Sequence, residues 1–176
     1  MQRRLLLAAL AACALPQFAQ AAVQQADLIL TNAHNDDITT AVGPETIKRV
    51  WPVREMLDAE ALVVPGSDWS IVPSVSPWIG IETLVTREKP GGSAASFGKG
   101  EAITLNEAFK LFTENSAKQE GASSLVGRIE PGMLADIIVV DRNPFAIPVT
   151  EIHATKVKMT FIAGEKVFDA SNSKSP

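Results

Sequence analysis

Apolar and polar residues fall in blocks whose spacing changes along the chain. "ADLILT" (26–31) is a short apolar run and predicts a strand; the polar stretch after it, "NAHNDDITTAVG", has no period. From Pro44 onward, Ile47, Val50, Val53, Met56 and Leu57 recur at helical spacing. Pro44 suits the first helical position and Glu45 the positive N-terminus, while Pro52 falls inside the pattern and should break or kink it. "ALVV" (61–64) is wholly apolar, as expected of a parallel strand covered on both faces. A Pro-rich loop follows, and then Trp78, Ile81 and Val85 predict a short helix. "EKPGGSAASFGKGEAI" reads as a surface loop. Thr104 with Glu107 forms a capping box for a helix whose apolar face is Leu105, Ala108, Phe109 and Phe112. Beyond residue 124, "LVGRIEPGMLADIIVVD" predicts two strands around a type II turn at Glu130-Pro131-Gly132. "TKVKMTFIAGEKVFD" predicts a hairpin turning near Ala163-Gly164.

The N-terminus changes the picture of where the protein works. Arg3 and Arg4 precede an apolar run from Leu5 to Leu15, and Ala19-Gln20-Ala21 offers a small-x-small cleavage site before Ala22. That is the layout of a bacterial secretory signal peptide, so export to the periplasm is expected. "LAAC", ending at Cys13, resembles a lipobox, and a lipid anchor at Cys13 is the alternative to soluble release. Cys13 is the one cysteine, so cleavage at Ala21 leaves no disulfide and no thiolate metal site. Without Arg3 and Arg4 the chain has 14 basic and 20 acidic residues, a net charge of −6. A mildly acidic chain without basic clusters excludes a nucleic-acid partner, and no other stretch is apolar for long enough to span a membrane. Length alone suggests one domain able to bury roughly 70% of its unfolded surface.

Three stretches carry a resemblance. They are "VWPVREMLDAEALVVPGSDWSIVPSVSPWIGIETLVTR", "ITLNEAFKLFTENSAKQEGASSLVGRIEPGMLADIIVVDRNPF" and "VKMTFIAGEKVF". Together, from Val50 to Phe168, they resemble the C-terminal third of a metal-dependent amidohydrolase of the amidohydrolase 3, or YtcJ-like, branch. "ADLILT" resembles the first strand of that family's β-sandwich. The resemblance implies an α/β fold: the C-terminal fragment of a (β/α)8 TIM-type barrel with part of a β-sandwich. The expected divisions are a signal peptide (1–21), an N-terminal strand and irregular junction (22–45), the last part of the barrel (46–124), sandwich strands (125–170) and a disordered tail (171–176). Implied too are a small amide-type substrate, hydrolysis of C–N bonds other than peptide bonds, and zinc or another divalent metal.

By the same resemblance Asp68, in "GSDW", is the aspartate that ends the eighth barrel strand, a metal ligand and proton-transfer group. The turn reading, an Asp capping its own backbone, stands beside it. Trp69 would wall the substrate pocket, with plain packing as its other reading. Arg87 is expected on the surface, paired with Glu82 or Glu88, with contact to an anionic substrate group as its other reading. His153 is expected at the surface or in the sandwich, and His34 in a polar loop.

Much of the family pattern is missing. A (β/α)8 barrel takes about 250 residues, and a catalytic zinc normally has three protein ligands. The chain has no His-x-His and two histidines in all. It is therefore expected to be truncated, inactive and metal-free on its own; the alternative is a non-catalytic periplasmic remnant or interaction module. Oligomeric state stays open at this level. "GSAASFGKG" is no phosphate loop, because Gly92 stands one residue too far from Gly98-Lys99 and Gly100 replaces the Ser or Thr.

Overall fold

The computed structural model of the chain describes residues 25–29, 43, 45–67, 69 and 74–172. The signal-like segment, Cys13, His34, Asp68 and residues 173–176 lie outside the described residues.

Pro52 does interrupt the first helical pattern. A 3-10 turn, Thr46–Arg49, is followed by Trp51 in the left-handed region (φ 53°), and only then by helix α1, Val53–Asp58. The cap of α1 comes from far along the chain: one Glu101 carboxylate oxygen accepts from the N–H groups of Arg54 (3.0 Å) and Glu55 (3.2 Å). Glu101 is itself buried, so a charge is taken from water to satisfy donors that the preceding proline leaves uncapped.

Strand β1, Gln25–Ile29, pairs in parallel with β2, Leu62–Gly66. The resemblance placed that first strand in the sandwich; here it joins a two-stranded sheet separate from the later strands. Helix α2, Pro77–Thr86, has Pro at its start, where a missing N–H costs nothing. Helix α3 has three consecutive parts: an α segment Leu105–Lys110, a π turn Leu111–Asn115 and an α segment Ser116–Gln119. Its capping box is complete, with Thr104 Oγ1 accepting from Glu107 N–H and Glu107 accepting from Thr104 N–H at 2.8 Å.

Strands β3 (Ile137–Val140), β4 (Val157–Ile162) and β5 (Glu165–Asp169) form an antiparallel sheet in that order. The β4–β5 turn has φ 49° at Ala163 and 83° at Gly164, the paired positive values of a type I′ hairpin. The strand expected before Glu130 does not form. Residues 125–134 are turns instead: Leu134 N–H donates to Leu125 O (2.8 Å) and Met133 N–H to Glu130 O (3.2 Å), closing the expected Pro131-Gly132 turn. Among the described residues no strand lies beside that run to take up its ladder, so local turns satisfy the backbone.

Val53, Val63, Trp78, Ile81, Leu84, Ile103, Ala108, Leu111 and Ile152 form the core. Leu84, Leu111 and Ile152 are almost completely buried, each worth about 2 kcal/mol of transfer free energy. Ile152 comes from a 3-10 turn, Val149–Ala154, which ties the antiparallel sheet to α2.

Candidate functional site

Strand β2 reads Leu-Val-Val-Pro-Gly, with Val63 fully buried. Its register with β1 runs from Gln25↔Leu62 to Ile29↔Gly66, so both parallel strands stop at the same end of the sheet. Reactive groups of parallel α/β folds collect at that carboxyl end. Ser67 follows half-buried, and Trp69 is 66% exposed, outside the core. Asp68, between them, lies outside the described residues.

The strand leading to Asp68 is anchored from the helix side. Asn115 Nδ2 donates to the Val63 carbonyl at 2.9 Å. Asn115 closes the π turn of α3, where one extra residue per turn changes which side chains face the strand. The widened turn is stitched by hydroxyls: Ser116 Oγ donates to Leu111 O (3.0 Å) and Thr113 Oγ1 to Phe109 O (2.8 Å). Gly127 (φ 99°) lies against it; a Cβ there would stand 2.7 Å from Ala117 Cβ and 3.2 Å from Thr113 O.

A second polar cluster was not anticipated. Glu82 is completely buried on α2. One of its oxygens accepts from Gly91 N–H (2.7 Å), and the other from His153 N–H (2.7 Å) while lying 2.8 Å from His153 Nδ1. In the tautomer with its hydrogen on Nδ1, the imidazole donates to this oxygen as a third hydrogen bond. The cluster joins α2, the glycine loop after it and the turn before β4. Its sequence signal was present, since Glu82 stands four residues after Trp78, on the helical face assigned to apolar residues.

Arg87 corrects another expectation. It is buried, not at the surface, and occupies the left-handed C-cap of α2 (φ 57°). Its guanidinium donates to Phe97 O (2.8 Å) and Val50 O (2.9 Å), not to Glu82 or Glu88. Burial lowers its pKa below the ordinary value, with nearby Glu101 opposing. Glu88 pairs with Lys99 instead. On the outer side, the Arg54 guanidinium, with help from Thr104 N–H, holds Glu107 down at about 2.

Among the described residues, no group of three or more His, Cys, Asp or Glu could hold a metal ion. Glu82 offers no substitute, because both its oxygens already accept hydrogen bonds, and His153 by itself is one ligand where a catalytic zinc takes three. The described residues therefore do not fit a catalytic zinc. None of the described helices is long and apolar enough to cross a membrane.

A family model described as "Amidohydrolase family" matches residues 10–168. The chain is 31% identical over 131 residues to YtcJ of Bacillus subtilis (strain 168), which carries an amidohydrolase name; the match covers 74% of this chain and 25% of that one. It is 34% identical over 128 residues to the N-substituted formamide deformylase of Arthrobacter pascens, covering 71% and 22%. The solved guanine deaminase of E. coli is similar in fold, with a TM-score of 0.52, 17% identity, and coverage of 70% of this chain and 32% of that one. The chain spans about a quarter of the length of the curated relatives it matches.

Proposed function

This chain belongs to the amidohydrolase family, and from that premise we propose that it is the C-terminal part of a hydrolase of C–N bonds other than peptide bonds, acting on small amide-type substrates. In this reading β2 is the last barrel strand, α2 and α3 are the helices after it, and β3–β5 belong to the accompanying sandwich.

The observation that carries the reading is the end of β2. A parallel strand, anchored at Val63 by Asn115, terminates at Gly66, two residues before Asp68. A carboxylate at such a position accepts a proton from the water that adds to the amide carbonyl carbon. It then returns the proton to the nitrogen as the C–N bond breaks, leaving an acid and an amine. Trp69, with its exposed indole, would supply an apolar wall beside that group.

The family is metal-dependent in general, and zinc or another divalent ion would activate the water. Because the described residues do not fit such an ion, no step is assigned to one. In this reading the chain by itself is inactive, because its sequence holds two histidines and no His-x-His to complete a metal site. Export, with release after Ala21 in preference to anchoring at Cys13, completes the reading.

The native product tests it. The expected finding is a longer polypeptide with residues 46–176 at its C-terminus, which hydrolyses small N-substituted amides and loses that activity on chelation or on Asp68→Asn. The 176-residue chain should hydrolyse none. Amide hydrolysis by the chain itself that survives both treatments would overturn the proposal.

A further inference from the structure

Strand β2 has few points of purchase beyond its centre. Pro65 has no N–H to give to a neighbouring strand, and Gly66 has no side chain to pack. Among the described residues, Asn115 is the one side chain that hydrogen-bonds the strand, its Nδ2 donating to the Val63 carbonyl at 2.9 Å. A carbonyl only accepts, so the contact needs an amide nitrogen and not merely a side chain of that shape. Val63 is fully buried, so its carbonyl has no ready substitute in water. The donor is itself held. Ser116 Oγ donates to Leu111 O across the π turn, and Leu111 is seated in the core.

We propose that Asn115 is a positioning residue for the C–N hydrolysis assigned above, acting through the Val63 carbonyl to fix where β2 ends. The inference rests on the reading of Asp68, five residues beyond Val63, as the proton-transfer group. A strand advances about 3.3 Å per residue, and a slip by one residue exchanges the faces of all its side chains. A misplacement of about 1 Å at a reacting group already costs about 100-fold in rate. Pairing with β1 is one tie against such a slip, but it reaches Pro65 and Gly66 only through the last two residues of β1, Leu28 and Ile29. Asn115 adds a second tie, from α3, and the two together define the place of the strand along its own axis.

Two measurements separate this inference from the reading beneath it. In amide NMR spectra of the isotopically labelled full chain, Asn115→Asp keeps the shape of the side chain and loses the amide donor. It should move the signals of Gly66 and Ser67 and leave those of the β4–β5 hairpin in place; Asn115→Ala should do the same, and decides the matter if Asn115→Asp disturbs folding. Signals of Gly66 and Ser67 that stay in place overturn the inference, whatever Asp68 does. In the longer polypeptide, activity that survives Asp68→Asn ends the reading and the inference with it. Where Asp68→Asn abolishes turnover, both Asn115 variants should lower kcat about tenfold or more at a temperature where circular dichroism shows them folded. Ile152→Val, a core truncation in the turn before β4, should leave kcat unchanged. Parental kcat in the Asn115 variants, or an equal loss in Ile152→Val, overturns the inference.

Discussion

Replacing Glu82 with alanine should destabilise the fold by about 3 kcal/mol. Three donors converge on this carboxylate: the N–H groups of Gly91 and His153, and the His153 imidazole. The imidazole belongs to a side chain that keeps 35% exposure, so it can turn to water. The two backbone donors cannot follow it, and stranding a buried donor costs about 1–3 kcal/mol. Their sum is about 4 kcal/mol, reduced by the desolvation that a buried carboxylate no longer incurs. Glu82→Gln keeps the shape and one carbonyl acceptor, and should cost about half as much. Urea unfolding of the full chain followed by circular dichroism would read both as a lower midpoint at constant slope. In a double-mutant cycle, Glu82→Ala with His153→Ala should show a coupling of about 1 kcal/mol, since the partners share one network. An unchanged or raised midpoint for Glu82→Ala would refute the reasoning, because it would mean that desolvation of the charge outweighs its hydrogen bonds.

Gly127→Ala should destabilise by about 2 kcal/mol or more, because the new Cβ meets Ala117 at 2.7 Å on a backbone with φ 99°; a thermal melt checks it. Asn115→Ala should speed hydrogen exchange of the β2 amides while leaving the β4–β5 hairpin protected. Glu107, lowered to about 2 from 4.5, contributes stability that is complete above its unfolded value and is lost as pH falls through the folded one. Between those values the acid limb of a stability profile should therefore be shallower in Glu107→Gln, and an identical limb would show that Arg54 and Thr104 do not hold the carboxylate.

Local signals along the chain carried far. Thr104 and Glu107, the Pro52 break and the positive-φ pair at Ala163-Gly164 depend on neighbours a few residues away, and each formed as read. What failed depends on distant partners. Residues 125–130 have strand composition, but a strand needs a ladder, and none of the described strands lies alongside. Arg87 looked like a surface cation because its acceptors, Phe97 O and Val50 O, are backbone carbonyls that no side-chain pattern reveals. His153 and Glu82 are 71 residues apart in sequence, so only the fold unites them. At the candidate site, Asp68 and Trp69 were singled out by family resemblance; composition alone offered an ordinary turn.

The π turn in α3 sets helical regularity against strand placement. Deleting one residue between Leu111 and Asn115 would let the helix run through with ordinary hydrogen bonding, which in isolation is the better helix. It would also swing everything after the deletion by about 100° around the axis, carrying the Asn115 amide away from Val63. Length variation among natural or engineered descendants of this chain should therefore be tolerated in the loop before Thr104 and selected against inside this single turn. The irregular turn is, in effect, the ruler that sets how far the strand ending at Gly66 projects.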